Sequence, residues 1–181
     1  MTSHQTGGLI GAGFGVFFVQ ANAGALPQAA ALPLRLLAIA AFVRLFIALR
    51  RSRVPAATVD GAAPRRFGRG YLLVVAAEVA VIAAGLFAIN RLLHAPQATV
   101  GWIALVVGLH FFGLAALWRM PSLRLLAAAM SACGTAGLVL AAFDCPAAVI
   151  AVVAGITPGV LLLGSVWWSV RTAPEPAASP A

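Results

Sequence analysis

Acidic residues are nearly missing from this chain, and lysine is missing altogether. Four Asp and Glu stand against twelve basic residues in 181 positions, and all twelve are arginine. Charged residues make up 9% of the chain, against about 25% in an ordinary soluble domain. So little charge cannot clothe a water-facing surface around a core of this size, which excludes a soluble globular fold. It leaves no paired carboxylates for acid–base work, and there is no HExxH helix, nucleophile elbow or phosphate loop. No enzyme chemistry can therefore be named. Cysteine is as scarce, with only Cys133 and Cys145. They form no CxxC pair and no metal-ligand spacing. If helix continued between them they would lie roughly 18 Å apart, beyond disulfide reach. No metal and no cofactor is expected, and Cys133 reads as a small packing residue.

What remains is apolar: 62% hydrophobic residues and a mean hydropathy of +1.02. Six uncharged or nearly uncharged segments can be drawn, at about 8–26, 33–49, 71–93, 100–118, 122–142 and 146–168. Each has roughly the 17–25 residues that a helix needs to cross about 30 Å of hydrocarbon. Helix is required because lipid offers no partner to backbone amides. The expected fold is all-α, a polytopic transmembrane helical bundle of about six helices, with the lipid bilayer as its first partner. Residues 1–171 make one transmembrane domain with a basic cytoplasmic loop at 50–70. The Pro/Ala-rich residues 172–181 read as a disordered cytoplasmic tail. Prolines fall at helix entrances (Pro33, Pro121, Pro146), where a missing N–H is harmless. Asp144 suits an N-cap of the sixth helix. Thr157-Pro158-Gly159 predicts a kink within it.

The net charge of +8 invites a nucleic-acid reading. The positions of the arginines argue against it. Arg50, Arg51, Arg53, Arg65, Arg66 and Arg69 crowd the loop between the second and third segments, Arg119 and Arg124 flank the turn after the fourth, and Arg171 follows the sixth. Basic loops beside apolar spans mark the cytoplasmic face, so the expectation is an inner-membrane protein with both termini cytoplasmic. Arginine without lysine, in an alanine-rich chain, points to a GC-rich bacterial genome. Ala21-Asn22-Ala23 imitates a signal-peptidase site, but the preceding MTSHQTGG carries no basic residue, so the first segment is read as a retained span.

Ionisable groups inside a bilayer are expensive, about 2.5–3.5 kcal/mol each on insertion scales, and usually face partners. Counting about 1.5 Å per helical residue from the cytoplasmic boundary puts Arg44 roughly 9 Å deep, Glu78 roughly 10 Å, His110 roughly 12 Å and Ser131 roughly 13 Å. One layer thus holds a cation, a carboxylate, an imidazole and a hydroxyl. It suits binding or transfer of a small polar solute or proton, with Glu78 paired to Arg44 or His110. It equally suits a structural or regulatory subunit in which His110 bonds a neighbouring helix and Arg44 snorkels to the interface. A second layer near the outer face holds Gln20, Asn22, Arg35 and Asn90, either a vestibule for an anionic or polar ligand or interfacial anchoring. Gly7, Gly11 and Gly15, and the Ser131, Gly134, Thr135 and Gly137 surface, suit close helix packing, which leaves room for a homo-oligomer or a partner subunit. Trp102, Trp118, Trp167 and Trp168 fall near helix ends, where interfacial aromatics sit.

PLRLLAIAA at Pro33 echoes PSLRLLAAA at Pro121. Were the echo real, segments one to three and four to six would form an inverted 3+3 repeat; chance similarity between Ala/Leu-rich stretches is the alternative. The run Gly108-Leu109-His110-Phe111-Phe112 with Leu114-Ala115, a basic turn and Pro121, together with the Gly-rich first segment ending Asn22-Ala23-Gly24, resembles small uncharacterised bacterial multi-pass membrane proteins with a GLHF-type motif. Those often carry Pro where this chain has Gly113. The resemblance implies a multi-pass helical fold and supplies no activity.

Overall fold

The computed structural model describes residues 3–51 and 69–171. Arg53, Arg65 and Arg66 of the basic loop, and the tail at 172–181, lie outside the described residues. The helices are α1 (Ser3–Asn22), α2 (Gln28–Arg51), α3 (Arg69–Phe87), α4 (Thr99–Trp118), α5 (Pro121–Ala142), α6 (Ala147–Ile150) and α7 (Thr157–Arg171). A π-helical turn, Ala88–Leu92, extends α3, and a second, Ala151–Ile156, fuses α6 and α7 into one span. Six spans result, each long and apolar enough to cross a bilayer: Gly7–Ala25, Gln28–Arg51, Arg69–Leu92, Pro96–Trp118, Pro121–Ala142 and Ala147–Arg171. The protein is a multi-pass transmembrane helical bundle. Alternating spans bring the helix ends at Arg50, Arg51, Arg69, Arg119 and Arg171 to one side, while His94 and Asp144 lie in turns on the other.

Large apolar side chains such as Leu37, Leu73, Leu125 and Phe143 are exposed, whereas the interior holds small and branched residues. That inversion follows from the solvent, since lipid is as apolar as leucine and helices associate through close backbone packing. Gly134 of α5 lies so close to the Leu105 backbone of α4 that a Cβ there would overlap it. In the same way Gly15 of α1 sits against Gly159 of α7, and a Cβ on Gly15 would stand 2.9 Å from the Gly159 carbonyl oxygen. Two apolar clusters fill the interior, one around Val19, Leu45 and Val166 and the other around Phe18, Met130 and Leu162. Residues of α1 enter both, so the first span is an integral part of the bundle.

Several local expectations change. The second helix begins at Gln28, which puts Pro33 inside it rather than at its entrance. Asp144 does not cap the sixth span, whose N-cap is Pro146. Instead Asp144 ends α5 in the left-handed region (φ 52), with Cys145 N–H donating to the Leu140 carbonyl at 3.0 Å. Aspartate tolerates that backbone because its short polar side chain can bond locally. Arg119 closes α4 in the same conformation (φ 51), with Met120 N–H donating to Ala115 at 3.1 Å. Pro121 does open α5. At the predicted kink, Pro158 has no N–H for the Ala154 carbonyl, and the wide π turn ends at Ile156, two residues before it. Thr157 Oγ1 donates to the Val152 carbonyl at 2.9 Å within that turn.

The architecture does not bring out the inverted repeat. Under it the third and sixth spans would be equivalent, yet the apolar stretch of the third is 6% buried and that of the sixth is 50% buried. Helix α3 packs along α4 at the edge of the bundle, whereas α7 lies between α1, α2 and α5.

Candidate functional site

The seam between α3 and α4 is an antiparallel ladder. Tyr71 stacks on Trp118, with ring centroids 6.3 Å apart and planes 10° from parallel. Val74 lies against Gly113, where a Cβ would come within 3.2 Å of a Val74 methyl. Farther along, the Trp102 indole occupies the space that a side chain at Gly85 would need. Between these rungs His110 Nδ1 approaches Glu78 Oε2 to 3.1 Å. The N–H···O alignment is not that of a hydrogen bond, so the imidazole nitrogen stands beside the carboxylate without a formed bond. Their side chains are 11% and 18% exposed. The spacing of Tyr71, Val74, Glu78 and Gly85, three, four and seven residues apart, keeps all four on one helical face.

Two titratable groups from different helices, close and largely withdrawn from lipid, can hold one proton between them. With that proton the pair is net neutral, either as carboxylate and imidazolium or as carboxyl and imidazole. Net neutrality is what a low-dielectric surrounding favours.

The other residues of the inner layer go elsewhere. Arg44 leaves the pair entirely and lies over the Trp167 ring of α7, with its guanidinium carbon 5.8 Å from the centroid. Ser131 faces Gly108, at the α4–α5 crossing, and its Oγ has no hydrogen-bond partner among the described residues. Gly108 and His110 are two residues apart, about 200° around a helix, so they look to opposite neighbours. Direction around the bundle separates these groups, which a count of residues along each helix does not give.

The outer layer divides in a similar way. Gln20 and Arg35 clasp α1 to α2: Gln20 Nε2 donates to the Arg35 carbonyl at 3.1 Å, and Arg35 Nη2 to the Gln20 carbonyl at 3.4 Å. Asn22 donates to Phe18 at 2.8 Å and packs into the notch left by Gly155 in the π turn. Asn90 is exposed on α3 and satisfies its amide on its own helix, at the Leu86 carbonyl. The residues do not converge on one vestibule.

No family model, no curated protein and no solved structure matches this chain. The case for function rests on geometry alone. Among the described residues no group of three or more His, Cys, Asp or Glu could hold a metal ion. Sequence reasoning missed Trp167 as the neighbour of Arg44 and Gly85 as the seat of Trp102. Both tryptophans were read only as interfacial anchors; the four-residue step from Trp167 to Arg171 signals the contact of that pair, but no spacing signals Arg44, which comes from another helix.

Proposed function

We propose that the protein binds and releases a proton at the Glu78–His110 pair, within the membrane, to move a proton or a small polar solute. The arginine-rich side faces the cytoplasm of a bacterial inner membrane, with both ends of the helical domain on that side. The observation that carries the reading is the 3.1 Å approach of His110 Nδ1 to Glu78 Oε2 across a helix seam. Intramembrane ionisable groups mark proton or ion pathways more often than they serve as bare scaffolding. His110 belongs to the GLHF-type run, so the proposal extends to the bacterial membrane proteins that this run resembles.

A second reading has its own support. Helix α3 is held along α4, and the cavity lined by α1, α2 and α7 lies away from the pair. Both facts favour a structural or regulatory subunit in which the pair clips an edge helix in place. Proton flux into proteoliposomes separates the two. Under the proposal, Glu78→Gln and His110→Ala each reduce flux to the level of protein-free vesicles while the protein stays folded. Wild-type flux that persists in both variants, or no wild-type flux, leaves the subunit reading.

A further inference from the structure

A groove of about 530 Å³ runs between α2 and α7 over Val19 of α1. Its walls are apolar, with Leu37, Ala41, Val160, Leu163 and Gly164 among them, and Arg44 and Trp167 lie near one end. Leu37, Ala40, Val160 and Gly164 are exposed, so the groove opens sideways to lipid. Along α2 its lining runs from Leu34 to Leu45, eleven steps or about 16 Å. Along α7 it runs from Val160 to Trp167, four residues from Arg171 at the arginine-rich end, so the slot reaches from near that side past the middle of the roughly 30 Å hydrocarbon core. Gly164 marks a real gap: a Cβ there would meet nothing within 4 Å.

Charge at the Arg44 end is unbalanced. Arg44 lies 5.8 Å and Arg171 4.7 Å from the centroid of the same Trp167 ring. Of the four acidic residues, Glu78 is at His110 and Asp144 is on the opposite side of the bundle, while Asp60 and Glu175 lie outside the described residues. Two guanidinium groups converge on one indole with no described carboxylate beside either. An apolar slot of this length with a doubly cationic mouth toward the arginine-rich side fits a molecule with an apolar tail and an anionic head. Basic pockets between spans are a recognised setting for anionic headgroups.

We propose that this groove is a binding site for an anionic phospholipid of the arginine-rich leaflet, one acyl chain lying along α2 and α7 and the phosphate held by Arg44 and Arg171 over Trp167. The site is separate from the Glu78–His110 seam and stands whether or not that pair carries protons.

The test is native mass spectrometry of the full chain, delipidated and reloaded with equal amounts of phosphatidylglycerol and phosphatidylcholine. Each nearby arginine contributes about a fivefold preference for anionic lipid, so the wild type retains phosphatidylglycerol about 25-fold over phosphatidylcholine. Arg44→Gln lowers that preference about fivefold, and Arg44→Lys keeps most of it. Gly164→Leu, whose Cβ meets no protein atom within 4 Å, projects into the slot and releases the lipid although both arginines remain. Excess inorganic phosphate does not displace the lipid. Glu175→Gln leaves the preference unchanged. Equal retention of the two lipids, an unaltered preference in Arg44→Gln, or undiminished retention in Gly164→Leu overturns the proposal. Displacement by phosphate alone would mean a free anion site, and a rise in lipid binding with Glu175→Gln would mean that this chain's own carboxylate fills the mouth; each also overturns it.

Discussion

Glu78 and His110 sit at like depth on helices that happen to be neighbours, and their meeting has an energetic signature. Coupling between polar partners on neighbouring membrane helices is about 0.6 kcal/mol on average and up to about 1.7. Replacing both with apolar residues is often neutral. We therefore expect Glu78→Leu alone to lower thermal stability in detergent measurably, and Glu78→Leu with His110→Leu to restore most of it. The meeting of Glu78 and His110 was open to a residue count from a charged boundary. Azimuth was not, because it depends on which helices lie side by side. Arg44 shows the difference: a residue count puts it level with Glu78, but it faces Trp167 of α7. Asp144 shows another limit, for a helix start and a helix end favour the same short polar residue, and here the end prevailed. Arg119, in the same left-handed backbone, lacks that local compensation. The conformation costs a side chain roughly 1–2 kcal/mol, so Arg119→Gly should raise thermal stability by about 1 kcal/mol.

At the scale of elements, α3 is the least secured of the six spans. Its neighbour is α4, and the seam is built from Tyr71 on Trp118, Val74 on Gly113, Glu78 on His110 and Gly85 under Trp102. A side chain at Gly85 must displace that indole. Gly85→Leu should lift α3 from α4 along the whole seam, read as loss of a disulfide between Val74→Cys and Gly113→Cys in a chain whose two native cysteines are alanine. The same pair should cross-link readily when Gly85 is intact. All six spans were visible in the sequence because twenty apolar residues have few other uses. Their edges were less so: Pro33 looked like a helix start, yet α2 begins at Gln28. The π turn at Ala151–Ile156 had one visible cause, Pro158, whose predicted kink appears as that widened turn.

For the whole molecule, the arginines define two unlike sides. Under the proposed orientation, a membrane-impermeant thiol reagent labels Ala95→Cys in intact spheroplasts, and labels Ala56→Cys only after lysis. Reversed labelling would invert the topology and move the lipid groove to the other leaflet. The inverted repeat rested on matching short Ala/Leu-rich strings, and such strings recur whenever a chain is written mostly in two apolar residues. Helix α3 at the edge and α7 in the interior show how little those matches say about packing.

The central claim is that the Glu78–His110 pair takes up and gives back a proton. Infrared difference spectra of the protein in vesicles, recorded across the pH range in which it stays folded, test this without reference to any transported solute. The account predicts a carboxyl band that appears and disappears with pH, vanishes in Glu78→Gln and moves in His110→Ala. A spectrum in which Glu78→Gln matches the wild type at every pH would contradict it.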